Sequence, residues 1–161
     1  MNRKVLLSLG SNMGDRMQNI RHAEALIESA IGTIEKKSAY YETAPWGNLE
    51  QGAFINSAAM ILTDNTPSEL LIKTQEIEKT LGKTDTVHWG PRIIDIDIVL
   101  FADWMVKKGD LIIPHPEIQN RNFVLKPLLD IEKNIMHPKL NKTIEELYLE
   151  SPDQCEVKKL P

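Results

Sequence analysis

The chain has 161 residues, 19 of them basic and 23 acidic, for a formal net charge of −4, which excludes the strongly basic face of a general nucleic-acid binder. Hydrophobic residues make up 42% and charged residues 26%, the balance of a folded domain rather than a disordered chain. A single cysteine, Cys155, cannot form an internal disulfide, and the first apolar run is broken by Ser8, Gly10, Ser11 and Asn12, too short for a signal peptide or a membrane span. These features predict one cytoplasmic domain over residues 1–161, with no membrane partner.

Val5–Leu9 is short, apolar and stopped by Gly10, which predicts a strand. A helix follows from about Asp15, with Ile20, Ala23, Ile27, Ala30 and Ile31 on its buried stripe and Gly32 as the residue that closes it. Two strand-like runs, Thr33–Thr43 and Phe54–Thr63, flank a loop with two glycines. Thr66-Pro67-Ser68-Glu69 predicts a second helix, with Thr66 as cap, proline at the first position and Glu69 bonding back; Gly82 ends it. Ile93–Phe101 is the strongest strand, and Lys108-Gly109-Asp110 predicts a hairpin into Leu111–Ile113. Short helical segments are expected at Asn120–Lys126 and Pro127–Ile131, and a last capped helix at Thr143-Ile144-Glu145-Glu146. The order β-α-β-β-α-β predicts an α+β, ferredoxin-like domain with helices on a largely antiparallel sheet.

The chemistry concentrates on Ile93–Phe101. Alternation along a strand puts Asp95 and Asp97 on one face, ~7 Å apart, and Ile94, Ile96, Ile98 and Leu100 on the other. Two carboxylates among β-branched residues are costly to leave unpaired, and a bound Mg²⁺ relieves that cost with ligands of the right hardness. By itself an Asp-x-Asp favours a bland solvent-facing reading. The preceding His88-Trp89-Gly90-Pro91-Arg92 shifts the balance, because Arg92 brings a planar, permanently charged fork suited to phosphate.

The run Trp89-Gly90-Pro91-Arg92-Ile93-Ile94-Asp95-Ile96-Asp97-Ile98 resembles the signature of 6-hydroxymethyl-7,8-dihydropterin pyrophosphokinases of folate biosynthesis. Leu9-Gly10-Ser11-Asn12, Tyr41-Glu42-Thr43-Ala44-Pro45, Phe54-Ile55-Asn56, Pro114-His115-Pro116 and Asn120–Leu125 match that family in the same order. The resemblance covers roughly residues 4 to 140, and the last twenty residues are not diagnostic. It implies a Mg²⁺-dependent transfer of pyrophosphate from ATP to the hydroxymethyl group of the pterin, with release of AMP. In it, Arg92, Asp95 and Asp97 are catalytic, and Asp95 and Asp97 bind two Mg²⁺ ions. ATP then falls to Gln75, Glu78, Trp89, Arg92, Ile98, His115 and Arg121, and the pterin to Thr43, Ala44, Trp46, Phe54, Asn56 and Phe123. A flat heterocycle suits the aromatic faces of Phe54 and Phe123, and its amide-like edge suits Asn56. Gly10-Ser11-Asn12 reads as a turn-shaping segment. The resemblance leaves association with other folate-pathway enzymes open.

Two departures from the family pattern stand out. The loop Gly82–His88 lacks the arginines that usually close over ATP, so Lys83 is expected to take the phosphate contact, with His88 as the competing candidate. Pro116 stands where relatives often carry tyrosine. A nucleotidyltransferase is a weak alternative, because its aspartates would follow the Gly-Ser turn closely. A non-catalytic ligand-binding module would not need an arginine and two aspartates arranged for metal-bound phosphate.

Overall fold

The structure, a computed structural model, describes residues 2–43, 52–84 and 92–161. Its centre is β1 (Arg3–Ser11), antiparallel to both β4 (Phe54–Thr63) and β5 (Asp95–Phe101). Both faces of these strands are covered. Val5, Leu7, Leu9, Ile55, Ala59 and Ile61 pack with residues of α1 (Arg16–Ala30) and α2 (Pro67–Thr80). On the opposite face, Leu6, Ala58, Met60 and Leu100 pack with residues of α3 (Asn122–Glu132) and α4 (Ile144–Glu150). Burial on two faces is why the strands read as continuous apolar runs rather than as alternating ones.

The main sheet runs β10 (Val157–Lys159), β3 (Tyr41–Thr43), β4, β1, β5, and β2 (Thr33–Lys37) also pairs with β4. Two small hairpins complete the described elements, β6 (Val106–Lys108) with β7 (Leu111–Ile113) and β8 (Met136–His137) with β9 (Lys142–Thr143). The α+β, ferredoxin-like order expected from the sequence is present, and so are both capping boxes, at Thr66/Glu69 and Thr143/Glu146.

Several expectations need correction, each for a local reason. The single run Thr33–Thr43 is two strands. The Ser38 hydroxyl accepts the Ala58 N–H at 2.8 Å and so substitutes for a ladder carbonyl at the break. The alternation on β5 fails at Val99, where the register against β1 shifts between Leu6 and Leu7. This bulge turns Leu100 onto the face of Asp95 and Asp97 rather than the opposite one. Gly32 does not close α1 through a left-handed conformation; a Cβ there would lie 2.0 Å from the Leu62 carbonyl oxygen, so it is glycine for lack of room. The two short helical segments are one helix, α3, with Pro127 buried inside it. Packing of Val124, Leu125, Leu128 and Ile131 outweighs the lost backbone donor. Finally, the first strand extends through Gly10 and Ser11, and β10 comes from the last residues, for which no element was expected.

Candidate active site

Register across three strands builds the site. Asn56 on β4 stands opposite Gly10 on β1, and Gly10 stands opposite Asp95 on β5. One row deeper, Ser8 lies between Ala58 and Asp97. With neighbouring strands ~4.8 Å apart, the backbones of Asn56 and Asp95 are separated by about 10 Å. Gly10 leaves a trough between them. A Cβ at that position would sit 2.8 Å from Asn56 Nδ2 and 3.6 Å from the Phe54 ring. The requirement is space, since Gly10 is an ordinary paired strand residue.

One wall of the trough is neutral and ordered. Thr43 and Asn56 are both buried, and the Thr43 hydroxyl donates to Asn56 Oδ1 at 2.9 Å. That bond fixes the amide and turns Nδ2 toward Gly10. Phe54 is half-buried beside it. Phe123, also half-buried, lies in the first turn of α3, with the Arg121 guanidinium 5.7 Å from its ring centroid. Ala44 and Trp46, the other expected pterin contacts, lie outside the described residues, as do Trp89 and His88.

The other wall is charged. Asp95 Oδ1 receives Lys83 Nζ at 2.6 Å and lies 3.6 Å from Arg92 Nε. Lys83 also donates to Glu78 Oε2 at 3.1 Å, and that same oxygen accepts the Ile96 N–H at 2.8 Å. The sequence explains how Lys83 arrives there. Gly82 has φ +99°, the Gly82 and Lys83 N–H groups return to the Lys79 and Glu78 carbonyls, and the closed helix end directs Lys83 back along α2. Burial pulls the Lys83 ammonium down, but Asp95 and Glu78 outweigh it and hold it above the usual lysine value. Burial raises the Glu78 carboxyl despite its N–H and ammonium partners. Loss of water and the charge of Asp95 push the Asp97 carboxyl up to about 6, against Lys83 and Arg121. The side chain is exposed, so the repulsion from Asp95 is the cause that the geometry supports. A carboxylate pair in that condition, on one face of a strand, fits a hard divalent cation that takes one or two carboxylates together with waters and phosphate oxygens. Among the described residues no cluster of three or more His, Cys, Asp or Glu offers a fuller protein cage.

The family model described as 7,8-dihydro-6-hydroxymethylpterin-pyrophosphokinase matches residues 6–133 of this chain. The chain belongs to that family. It is 42% identical over 142 residues to the 2-amino-4-hydroxy-6-hydroxymethyldihydropteridine pyrophosphokinase of Aquifex aeolicus, covering 88% of both chains. It is 46% identical over 132 residues to the enzyme of that name from Bacillus subtilis, covering 81% of this chain and 79% of that one. In structure it resembles a Plasmodium falciparum HPPK-DHPS chain with a TM-score of 0.76 at 19% identity, over 92% of this chain and 43% of that longer one. That likeness supports the fold.

The remaining expected ATP residues of this pyrophosphokinase occupy different settings. The His115 N–H donates to the Val99 carbonyl at the bulge, so the break in register is what anchors the segment after β7 to β5. Burial and Arg121 lower His115 to about 4, and its Nδ1 accepts the Glu117 N–H at 3.2 Å. The ring is therefore neutral near pH 7, with its proton on Nε2 available for donation. Gln75 is exposed on α2, whereas Glu78 is buried and bound to β5. The Ile98 side chain is buried on the face away from Asp95 and Asp97, which leaves only its backbone for a ligand.

Two site residues escaped the sequence reading. Gly10 is one, taken as turn-shaping when it is the floor of the trough. Asn12 is the other. Its Oδ1 accepts the Arg92 N–H at 2.6 Å, its N–H donates to the Arg92 carbonyl at 2.9 Å, and its Nδ2 donates to the Gly52 carbonyl at 3.2 Å. Asn12 thus joins the chain before β4 to the chain before β5. An asparagine directly after an apolar strand was the available signal, since such a group, once buried, must find partners.

Proposed function

We propose that the trough over Gly10 is where the hydroxymethyl group of the pterin meets the triphosphate of ATP. The enzyme is a pyrophosphokinase of folate biosynthesis with ATP as co-substrate. In this reading Asn56, Phe54 and Phe123, with Thr43 behind Asn56, hold the pterin. Ala44 and Trp46 extend that set by resemblance. Asp95 and Asp97 hold Mg²⁺, two ions by family likeness. Held by these two carboxylates, such cations would supply charge neutralisation for the phosphates. Arg92 and Arg121 supply fixed positive charge, His115 donates from Nε2, and Gln75 and Trp89 complete the nucleotide set. Lys83 holds Asp95 in the cation-free protein and turns to phosphate when that carboxylate is engaged elsewhere. Catalysis is then positioning and charge stabilisation, with the β-phosphorus attacked and AMP released.

The observation that carries this reading is the single row Asn56, Gly10, Asp95. It sets an amide suited to a pterin edge about 10 Å from a metal-binding carboxylate, with no side chain between. The whole chain, 1–161, acts as one domain in this proposal, supported by the entry of β10 into the main sheet. A cytoplasmic setting is part of this proposal and is compatible with the ATP requirement; no helix among the described residues is long and apolar enough to cross a membrane. The test is ³¹P NMR of a reaction with ATP, Mg²⁺ and 6-hydroxymethyl-7,8-dihydropterin. AMP and a pyrophosphate ester are expected, and ADP with a monophosphate ester would reject the assignment.

A further inference from the structure

The family match ends at residue 133, yet the segment from Ser151 to Leu160 grips both halves of the pterin-side wall. At one end, β10 pairs with β3, placing Val157 opposite Thr43, and the Leu160 N–H donates to the Tyr40 carbonyl at 2.9 Å. At the other end, Asp153 Oδ2 accepts the Asn122 N–H at 2.8 Å, and Asn122 Nδ2 donates to the Asp153 carbonyl at 3.3 Å. Asp153 is held in turn, because its Oδ1 accepts the Cys155 N–H at 2.9 Å and its own N–H donates to Ser151 Oγ at 3.2 Å.

These contacts fill a local deficit. Arg121, in the cap position of α3, makes no side-chain capping bond. Its first-turn N–H groups need an acceptor, and a carboxylate is favoured there by the helix dipole. Asp153 provides it from thirty-one residues away in sequence. The helical residue next to Asn122 is Phe123.

We infer that residues 151–160 form a strap that positions the pterin-side wall, with Asp153 as the positioning residue that orients Phe123 relative to Thr43 and Asn56. The inference rests on the pterin assignment above. Asp153 touches no reacting atom in it; its effect passes through the first turn of α3.

The test uses the full chain with Asp153→Ala, Asp153→Asn and, separately, Phe123→Ala. Asp153→Ala should raise KM for the pterin roughly fivefold, the size expected for one lost capping bond, while kcat and KM for ATP stay within twofold. Asp153→Asn keeps one acceptor oxygen for the Asn122 N–H and should recover at least half of that loss, which also covers an alanine variant that folds poorly. An unchanged pterin KM, or equal weakening of pterin and ATP, overturns the strap. Phe123→Ala separates the two failures. If it weakens the pterin and Asp153→Ala does not, the strap alone is wrong. If Phe123→Ala leaves pterin KM unchanged, the pterin assignment falls and takes the inference with it.

Discussion

The two walls of the trough satisfy their polar groups in opposite ways. On the proposed pterin side, Thr43 and Asn56 are buried and satisfy each other through one neutral hydrogen bond, so the wall can stand unchanged with or without ligand. On the proposed phosphate side, Asp95, Glu78, Lys83 and Arg92 compensate one another through charge, and Asp97 is pushed up to about 6. Ligand must exchange those contacts rather than add to them. A neutral edge needs shape and one fixed amide, whereas a polyanion with its cations needs charges that can be released, because an unpaired charge left in the site would destabilise the folded protein.

The largest effect should come from the charged wall. Asp97→Ala and Asp95→Ala are each expected to lower kcat on the order of 10³-fold, or about 4 kcal/mol, at saturating substrates and Mg²⁺. For the cation-free protein the sign is different. The Asp97 carboxyl is raised to about 6, so the native state binds its proton more tightly than the unfolded chain does, and that contribution is lost as pH rises through about 6. Asp97→Asn should therefore raise Tm at pH 7.5 in EDTA and change it little at pH 4. A variant of either aspartate with near-normal turnover would show that the two walls do not differ as described.

Gly10→Ala probes the neutral wall. The new methyl group meets Asn56 Nδ2 at 2.8 Å, and Asn56 cannot retreat without losing its Thr43 bond. Pterin affinity measured by calorimetry is expected to fall about tenfold (~1.4 kcal/mol), with ATP affinity changed less than twofold. Equal loss for both ligands would mean that the row is not a boundary between two subsites.

A smaller effect, several-fold in kcat/KM for ATP, is expected from Lys83→Ala, with Lys83→Arg restoring most of it. If Lys83 is only a brace for Asp95 and Glu78, thermal stability will fall in both ligand-free variants while ATP kinetics stay unchanged. His115 gives the smallest signal. Its folded value of about 4 lies below the ordinary imidazole range, so the unfolded chain binds the extra proton between about 6.5 and 4, and stability is lost as pH falls through that window. His115→Gln should narrow the Tm difference between pH 7 and pH 5 by roughly 2–4 °C, about 1 kcal/mol. An unaltered difference would place His115 in contact with solvent.

By itself, the sequence determined the elements whose cause is local. The capping boxes at Thr66 and Thr143, the turn at Gly82, the hairpin at Gly109 and the shared face of Asp95 and Asp97 each follow from a few adjacent residues and a fixed periodicity. The family motif likewise lies on contiguous residues, and it identified the reaction. What tertiary structure decided is everything that depends on which strand lies beside which. Gly10 acquires its meaning from Asn56 and Asp95 on two other strands, and Gly32 from a carbonyl of β4. Leu100 changes face because of a bulge set by pairing with β1, and Asp153 caps a helix that begins 31 residues earlier. Lys83 was expected from the sequence to meet phosphate, but its place on Asp95 depended on how α2 packs along the edge of β5. Local chemistry is written in neighbouring residues. The occupancy of space and the pairing of charge belong to residues that only folding makes neighbours.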